Sequence, residues 1–178
     1  ALKSQSLKVL EKSVEGLSTQ INQLICLSTL STPSSIPSAE VDLVVVVQDL
    51  LIDFMPLAQS RQIEMSLDAP DQLPTHVNEP ALALVLANLL KNAITHGNVG
   101  GRVEVRIGQE AGSWTMEVAD DGPGLHATAQ GRGQPGTGLG LAIVAQAVTV
   151  LNGHLTLDTG LDGMGLSVRV VVPMPEAT

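Results

Sequence analysis

The chain opens with a regular alternation of apolar and polar residues. The apolar positions are spaced alternately three and four residues apart, and Lys, Glu, Ser and Gln lie between them. These positions are Leu7, Leu10, Val14, Leu17, Ile21 and Leu24. Such spacing is typical of a helix that packs along a narrow seam. We interpret it as one helix of a bundle whose other helices lie outside this sequence, with an amphipathic helix folded onto its own domain as the alternative.

A proline- and serine-rich stretch separates this helix from the rest of the chain. Residues 31–38, STPSSIPS, predict a linker. Beyond it, residues 41–58 are apolar with interspersed acids and fit a helical face, although their valine run could begin as a strand. Residues 63–67 alternate like a short strand, and residues 69–74 supply turn residues.

The remainder of the pattern predicts helices that alternate with hairpins. The predicted elements are a helix over 79–97, a hairpin over 102–120, a helix over 139–153 and a second hairpin over 154–173. The first of these helices is the most hydrophobic in the chain, and Gly97 is its predicted C-cap. Helices mixed with antiparallel strand pairs indicate the α+β class and exclude a doubly wound parallel sheet.

Composition and charge narrow the classes of partner. The chain has one Phe, one Trp and no Tyr, so it offers no platform of aromatic rings for stacking single-stranded nucleic acid. The net charge of −9 argues against binding to nucleic acid, and equally against binding to an anionic membrane, because both are negatively charged. We therefore expect no nucleic-acid partner.

Three further features bound the setting of the chain. No apolar run reaches the roughly 18 to 20 residues that a membrane span requires, so we expect no direct membrane contact. The single cysteine, Cys26, excludes an internal disulfide and a thiolate metal cluster. The sequence begins at Ala1 in the middle of a helical pattern, and we expect it to be a piece of a longer protein.

Two asparagines on the predicted helix over 79–97 are the first candidates for chemistry. Asn88 and Asn92 stand four residues apart, so their amides project from one face, one turn from each other. Such amides could cap or cross-link the backbone. Their oxygens are also suitable ligands for Mg²⁺, which typically binds few protein groups together with substrate phosphates.

Glycine-rich turns supply the second group of candidates. Asp120 ends a predicted strand immediately before DGPG, where its carboxylate could accept a hydrogen bond from an exocyclic amine or simply close an Asp-Gly turn. A second series, Gly136, Gly138 and Gly140, leads into a predicted helix whose N-terminal N–H groups favour phosphate. This series lacks the lysine of a P-loop and the spacing of a dinucleotide fingerprint.

Together these segments resemble the motifs of one family. NLLKNA at 88–93 resembles the N box of sensor histidine kinases, VADDGPGL at 118–125 their first glycine box, and GTGLGLAIV at 136–144 their second. The order and spacing are those of the family. The resemblance covers about 41–173 and implies the Bergerat fold, a two-layer α/β sandwich in which a mixed, largely antiparallel sheet packs on helices.

The resemblance also implies a domain organisation. Residues 1–31 are similar to the second helix of the dimerisation and phosphotransfer hairpin, and residues 32–39 to the linker that follows it. Residues 40–175 would form the ATP-binding catalytic domain, with a lid at about 125–135. The intact protein would then dimerise through the N-terminal helix, address a response regulator, and place this domain in the cytoplasm, below an inner-membrane sensor.

Site roles follow from the same resemblance. Asn92 would hold Mg²⁺, Asn88 would support the metal and the phosphates of ATP, and Asp120 would accept a hydrogen bond from the adenine amine. Gly122 and Gly124 would shape the adenine pocket. The residues that carry the lid chain around the triphosphate would be Gly136, Thr137, Gly138, Leu139 and Gly140.

The chain departs from the family pattern after the N box. Thr95 and His96 stand where many relatives have a basic residue followed by Tyr. Lys91 or Arg132 would then supply the missing positive charge near the phosphates, and His96 would also lie near the nucleotide. Arg132 lies in the lid, and the alternative to a phosphate contact is an exposed charge in a loop. The lid is short and has no phenylalanine, unlike that of many relatives.

The phosphoacceptor is expected to lie outside this sequence. None of the four histidines, His76, His96, His126 and His154, is followed by the acidic and basic residues of the family's substrate histidine. The resemblance therefore implies a catalytic fragment that transfers phosphate from Mg·ATP to a histidine on a preceding helix. The alternatives are a related ATPase or anti-sigma serine kinase, against which Asn88 in place of Glu weighs, and a degenerate domain that binds partners without nucleotide.

Overall fold

The computed structural model describes residues 38–124 and 139–174, which belong to a compact unit that begins at Pro37. Its elements in chain order are β1 (Ala39–Asp42), α1 (Leu43–Ser60), β2 (Glu64–Asp68), β3 (Pro74–Val77), α2 (Glu79–His96), β4 (Arg102–Glu110), β5 (Ser113–Asp120), α3 (Leu139–Val150), β6 (His154–Thr159) and β7 (Leu166–Pro173). A 3₁₀ turn at Leu161–Gly163 joins the last two strands. The predictions for the N-terminal helix, the linker up to residue 37 and the lid fall outside the described residues.

The strands form one main sheet and one small one. The main sheet has five strands in the order β2-β4-β5-β7-β6, in which β2 pairs with β4 in parallel and every other pairing is antiparallel. β1 and β3 form a separate antiparallel pair. The α+β class and the mixed, largely antiparallel sheet packed on helices are therefore confirmed.

Alternate strand residues and the three helices enclose a single hydrophobic core. The sheet contributes the buried residues Val103, Val105, Ile107, Trp114, Met116, Val118, Val168, Val170 and Val172. Trp114 is fully buried among these smaller aliphatic side chains, most of which are β-branched and suit a pleated surface. The opposite face of the sheet carries charged residues, including Arg106, Glu117 and Arg169, in one cross-strand row.

Helix α1 shows where the sequence was misleading. Its valine run is helical, so the alternative of a strand there is wrong, and the carboxylate of Asp42 caps it by accepting from the N–H of Val44 at 3.0 Å. By length and apolar content it could cross a membrane, contrary to our expectation that no segment could. It nevertheless carries Asp49 and Asp53 and buries a face that includes Val47, as a helix of a folded domain does.

The small sheet was not predicted. β1 lies at the boundary of the predicted linker, and β3 begins at Pro74, within the stretch that we expected to be a turn. Asp42 connects the two strands, because its Oδ1 also accepts from the N–H of Leu73 at 2.9 Å. Each strand has only four residues, below the usual length of about five to six. The alternation in AEVD of β1 is therefore a weak signal, and PTHV of β3 does not alternate apolar with polar residues.

Both ends of helix α2 are fixed by hydrogen bonds. At its start, the side chain of Asn78 accepts from the N–H of Ala81 at 3.0 Å. At its end, the N–H of Gly97 donates to the carbonyl of Ala93, as the predicted C-cap does. The guanidinium of Arg61 donates to the carbonyls of Thr95 and Gly97, where a cation also suits the helix dipole. These contacts fix α2 at the centre of the candidate site.

Candidate functional site

Helix α2 presents a polar stripe opposite its buried face. Asn88, Lys91, Asn92 and Thr95 are spaced as neighbours on one side of the helix, and none of them is buried. The Nδ2 of Asn88 donates to the carbonyl of Leu84 at 2.8 Å, so this amide does bond to the backbone through its nitrogen. Among the described residues, none donates a hydrogen bond to its oxygen.

Asn92 lies directly against the start of α3. A Cβ atom placed on Gly140 would lie 2.8 Å from Nδ2 and 2.9 Å from Oδ1 of Asn92, closer than real side chains approach. Because Gly140 is in the first turn of α3, the amide of Asn92 adjoins a helix N-terminus with its unpaired N–H groups. The structure thus joins the segment with the two asparagines to the second glycine series.

Part of that second series lies outside the described residues. Gly136, Thr137 and Gly138 precede the first described residue of α3, as does Arg132. Leu139 begins α3, and only its backbone is described. The sequence prediction for these five residues remains a prediction.

Asp120 is the buried carboxylate of the site. It ends β5 with 9% of its surface exposed, and its Oδ1 accepts from the N–H groups of Gly122 at 2.8 Å and Leu166 at 3.4 Å. It therefore does close a turn through one oxygen, which leaves Oδ2 for another donor. Burial raises the pKa of Asp120 above its usual 3.8, and the two backbone hydrogen bonds only partly oppose this.

Glycines allow three chain segments to meet beside Asp120. A Cβ on Gly122 would lie 3.0 Å from the Cα of Gly97, so the end of α2 and the turn after β5 are in backbone contact. Gly124 has φ +69°, and a Cβ there would lie 2.8 Å from the carbonyl oxygen of Gly165. Only glycine fits such close approaches, and the result is a smooth surface that could lie against a flat ring.

The turn between β6 and β7 was missed as part of the site. A Cβ on either Gly160 or Gly165 would overlap the carbonyl oxygen of Asp120. The signal was present in GLDGMG at 160–165, whose glycine spacing we interpreted only as a hairpin turn. Its tertiary contact joins β5 to residues more than forty positions later, which local pattern does not reveal.

The two remaining candidates are exposed. Lys91 belongs to the polar stripe of α2, one residue before Asn92. His96 is the last residue of α2, and its carbonyl oxygen would lie 3.5 Å from a Cβ on Gly122. His96 therefore borders the Asp120 side of the site.

The buried charge of Asp120 predicts a pH-dependent stability difference. A raised pKa means that the folded state favours the protonated acid, so Asp120 contributes stability that is present below pH 3.8 and lost as the pH rises through its folded pKa. The side chain of Asp120→Asn is neutral at every pH. We therefore expect its Tm to rise relative to that of the parent as the pH rises through the folded pKa of Asp120. Thermal unfolding from pH 3.5 to 7 would measure this difference, with the exposed Asp53→Asn as control. A Tm difference that is constant with pH would contradict it.

The donor chemistry fits a hard cation held jointly with a ligand. Within 38–124 and 139–174, no group of three or more His, Cys, Asp or Glu side chains could hold a metal ion. The two amide oxygens of Asn88 and Asn92 could supply only part of a coordination shell. Mg²⁺ commonly binds in this way, completing its octahedron with water and phosphate oxygens.

Comparison with known proteins agrees with this geometry. Residues 77–176, more than half of the chain, match the family described as histidine kinase-, DNA gyrase B-, and HSP90-like ATPase. The sensor protein kinase PmrB of Pseudomonas aeruginosa is 31% identical over 98% of this chain and 40% of its own length. The chain thus spans less than half the length of this curated relative.

Solved structures show the same architecture. The Acinetobacter baumannii histidine kinase AdeS superposes with a TM-score of 0.77 and 24% identity, over 96% of this chain and 84% of that one. The mycobacterial sensor histidine kinase MprB superposes with a TM-score of 0.64 and 26% identity, over 76% of this chain and 98% of that one. The chain belongs to the family of histidine kinase-, DNA gyrase B- and HSP90-like ATPases, and the relatives named above are sensor or histidine kinases.

Proposed function

We propose that this chain is the ATP-binding catalytic part of a sensor histidine kinase and transfers the γ-phosphoryl group of Mg·ATP to a histidine on a helix outside this sequence. The observation that carries the proposal is the contact between Asn92 and Gly140. It brings an oxygen ligand for a cation to a helix N-terminus, and Mg²⁺ and phosphate are the pair that such an arrangement suits. The sensor-kinase relatives give independent support.

In this proposal the two ends of the nucleotide are held by different segments. Asp120 accepts a hydrogen bond from the adenine amine through Oδ2, while the glycines around it leave room for the ring. Asn92 and Asn88 hold Mg²⁺ through their oxygens, and the N-terminus of α3 binds phosphate. The chain from Gly136 to Leu139 passes around the triphosphate, with Arg132, Lys91 and His96 as further contacts.

The chemistry of transfer is then mainly positioning and charge neutralisation. Asn88 and Asn92 would hold the cation, which would supply neutralisation of charge on the phosphate oxygens, as in other phosphoryl transfers. The acceptor imidazole nitrogen forms a bond to the γ-phosphorus as the bond to the β-phosphate oxygen breaks, and ADP leaves. Asn88 cannot remove a proton from water, because an amide is not a base at neutral pH. An acceptor other than water is therefore favoured over hydrolysis.

The relatives also support a setting for the intact protein. They suggest a homodimer formed through residues 1–31, joined by the linker at 32–39 to the catalytic domain at 40–175, whose lid is 125–135. The phosphate would pass to a response regulator. The domain would lie in the cytoplasm, as catalytic domains of sensor kinases do, and would contact neither nucleic acid nor membrane directly.

Nucleotide binding is the decisive test. Calorimetric titration with a non-hydrolysable ATP analogue and Mg²⁺ is expected to show one site per chain. Asp120→Asn should lower the affinity for the nucleotide by about tenfold to a hundredfold, because a hydrogen bond to a charged acceptor is lost. The control Asp53→Asn, an exposed acid on α1, should bind like the parent.

Phosphotransfer separates the remaining alternatives. A protein carrying the preceding helix with its histidine is added in trans, and acid-labile phosphate on that protein is the expected product. Release of inorganic phosphate without labelling would favour an ATPase. Failure of the parent chain to bind any adenine nucleotide would leave only a partner-binding module.

A further inference from the structure

Arg102, the first residue of β4, joins two carboxylates from distant segments. Its Nε lies 3.4 Å from Oδ2 of Asp121, and its Nη2 forms an ion pair with Asp162. The backbone N–H of Arg102 donates to the other oxygen of Asp121 at 2.9 Å, which fixes that carboxylate in place. One guanidinium therefore connects the residue after Asp120 with the turn between β6 and β7.

That turn has little of its own to hold it in position. Three of its residues have left-handed backbone: Asp162 at φ +54°, Gly163 at +76° and Gly165 at +74°. A hydrogen bond from the N–H of Met164 to the carbonyl of Leu161 closes it internally. The two glycines adopt this backbone freely, but it is costly for Asp162 unless an outside contact retains it, and Arg102 supplies such a contact.

The same turn forms one side of the Asp120 environment. Gly160 and Gly165 lie so close to the Asp120 carbonyl that neither could carry a side chain. The N–H of Leu166, directly after the turn, donates to the Asp120 carboxylate. A displacement of the turn would therefore change both the hydrogen bonding of Asp120 and the space beside it.

We propose that Arg102 is a positioning residue for the nucleobase: it holds the turn at 160–165 against Asp120 and so sets the shape of the pocket for adenine. This rests on the proposed function. The planar fork of arginine reaches both carboxylates at once, whereas the single ammonium of lysine does not. Without Arg102, Asp121 and Asp162 share no cation, and their like charges favour separation of the turn from β5.

Arg106 provides a matched control on the same strand. It is exposed to a similar degree and also joins two carboxylates, Glu104 at 2.8 Å and Glu117 at 3.2 Å. Its partners lie on the outer face of the sheet, away from the turn at 160–165. Exposed ion pairs contribute little to global stability, so loss of either arginine should leave Tm nearly unchanged.

Base selectivity is the first readout. Arg102→Ala is expected to weaken binding of the ATP analogue about twofold to fivefold and to reduce the preference over the GTP analogue. Arg102→Lys should be intermediate. Adding Asp162→Ala to Arg102→Ala should recover part of the loss, because it removes the like-charge pair. Arg106→Ala should match the parent in both affinity and selectivity.

Amide hydrogen exchange in the ligand-free protein is the second readout. Faster exchange at Leu166 in Arg102→Ala than in Arg106→Ala is expected, since this amide is held by Asp120 only while the turn is in place. If the parent binds nucleotide and the two arginine variants bind alike, the inference is wrong. If the parent binds no nucleotide, the proposed function fails. In that case, equal exchange rates at Leu166 in the two arginine variants would also overturn the role of Arg102 in holding the turn.

Discussion

Asn92→Ala is expected to lower the rate of phosphoryl transfer by about a hundredfold to a thousandfold, the cost of removing one preorganised group that stabilises transferring charge. The amide oxygen is the proposed Mg²⁺ ligand, and its contact with Gly140 holds it beside the N-terminus of α3. Single-turnover transfer of labelled phosphate to the added histidine-bearing helix would measure the rate. Nucleotide affinity should also lose most of its dependence on Mg²⁺.

Two other amides serve as comparisons for Asn92. Asn88→Ala should have a smaller effect, because the nitrogen of Asn88 is already committed to the carbonyl of Leu84 and only its oxygen remains for a ligand. Gln48→Ala removes an exposed amide from α1 and should transfer phosphate like the parent. A normal response to Mg²⁺ in Asn92→Ala would contradict the proposed metal ligand.

The largest effect on the base end of the site is expected from Gly165→Ala. A methyl group there would overlap the carbonyl oxygen of Asp120, so either the turn or the end of β5 must move. We expect nucleotide affinity to fall by more than about tenfold, since the hydrogen bond from Leu166 to Asp120 would be lost as well. Titration with the ATP analogue and urea denaturation would measure affinity and stability together.

Gly163→Ala separates backbone strain from steric overlap. Gly163 has φ +76°, close to the +74° of Gly165, but nothing lies within 4 Å of a Cβ placed on it. It should therefore lose only the roughly 1–2 kcal/mol that an L side chain costs in left-handed backbone, with nucleotide affinity unchanged. Equal affinities for the two variants would show that the turn does not border the nucleotide.

Local signals account for the elements that the sequence predicted. The hairpin of β4 and β5 was predicted because alternating strands flank a short glycine turn, and Ala111 and Gly112 do adopt left-handed backbone there. Helix α2 was predicted from its length, its apolar face and its ends. β1 and β3 were missed because four residues give too weak a strand signal and Pro74 suggested a turn.

The site also combines contacts that have a local sequence signal with contacts that have none. The approach of Asn92 to Gly140 could be anticipated, because a polar helix face and a glycine series have recognisable patterns. Arg61, Arg102 and the turn at 160–165 could not, because their contacts join residues 19 to 60 positions apart. An isolated arginine on an amphipathic segment gives no sign of which carboxylate or carbonyl the fold will bring to it.

The antiparallel pairing of β5 with β7 is a long closure that the domain must complete as it assembles. β4 with β5, and β6 with β7, are hairpins that close through short turns, whereas β5 reaches β7 only across a later part of the chain that includes α3 and β6. Such long closures are slow steps in folding. The proposed nucleotide site joins the end of β5 to the turn between β6 and β7, so it is complete only when this step is finished. Nucleotide that binds the finished site would therefore also act as a folding ligand, drawing the chain toward the native state by mass action.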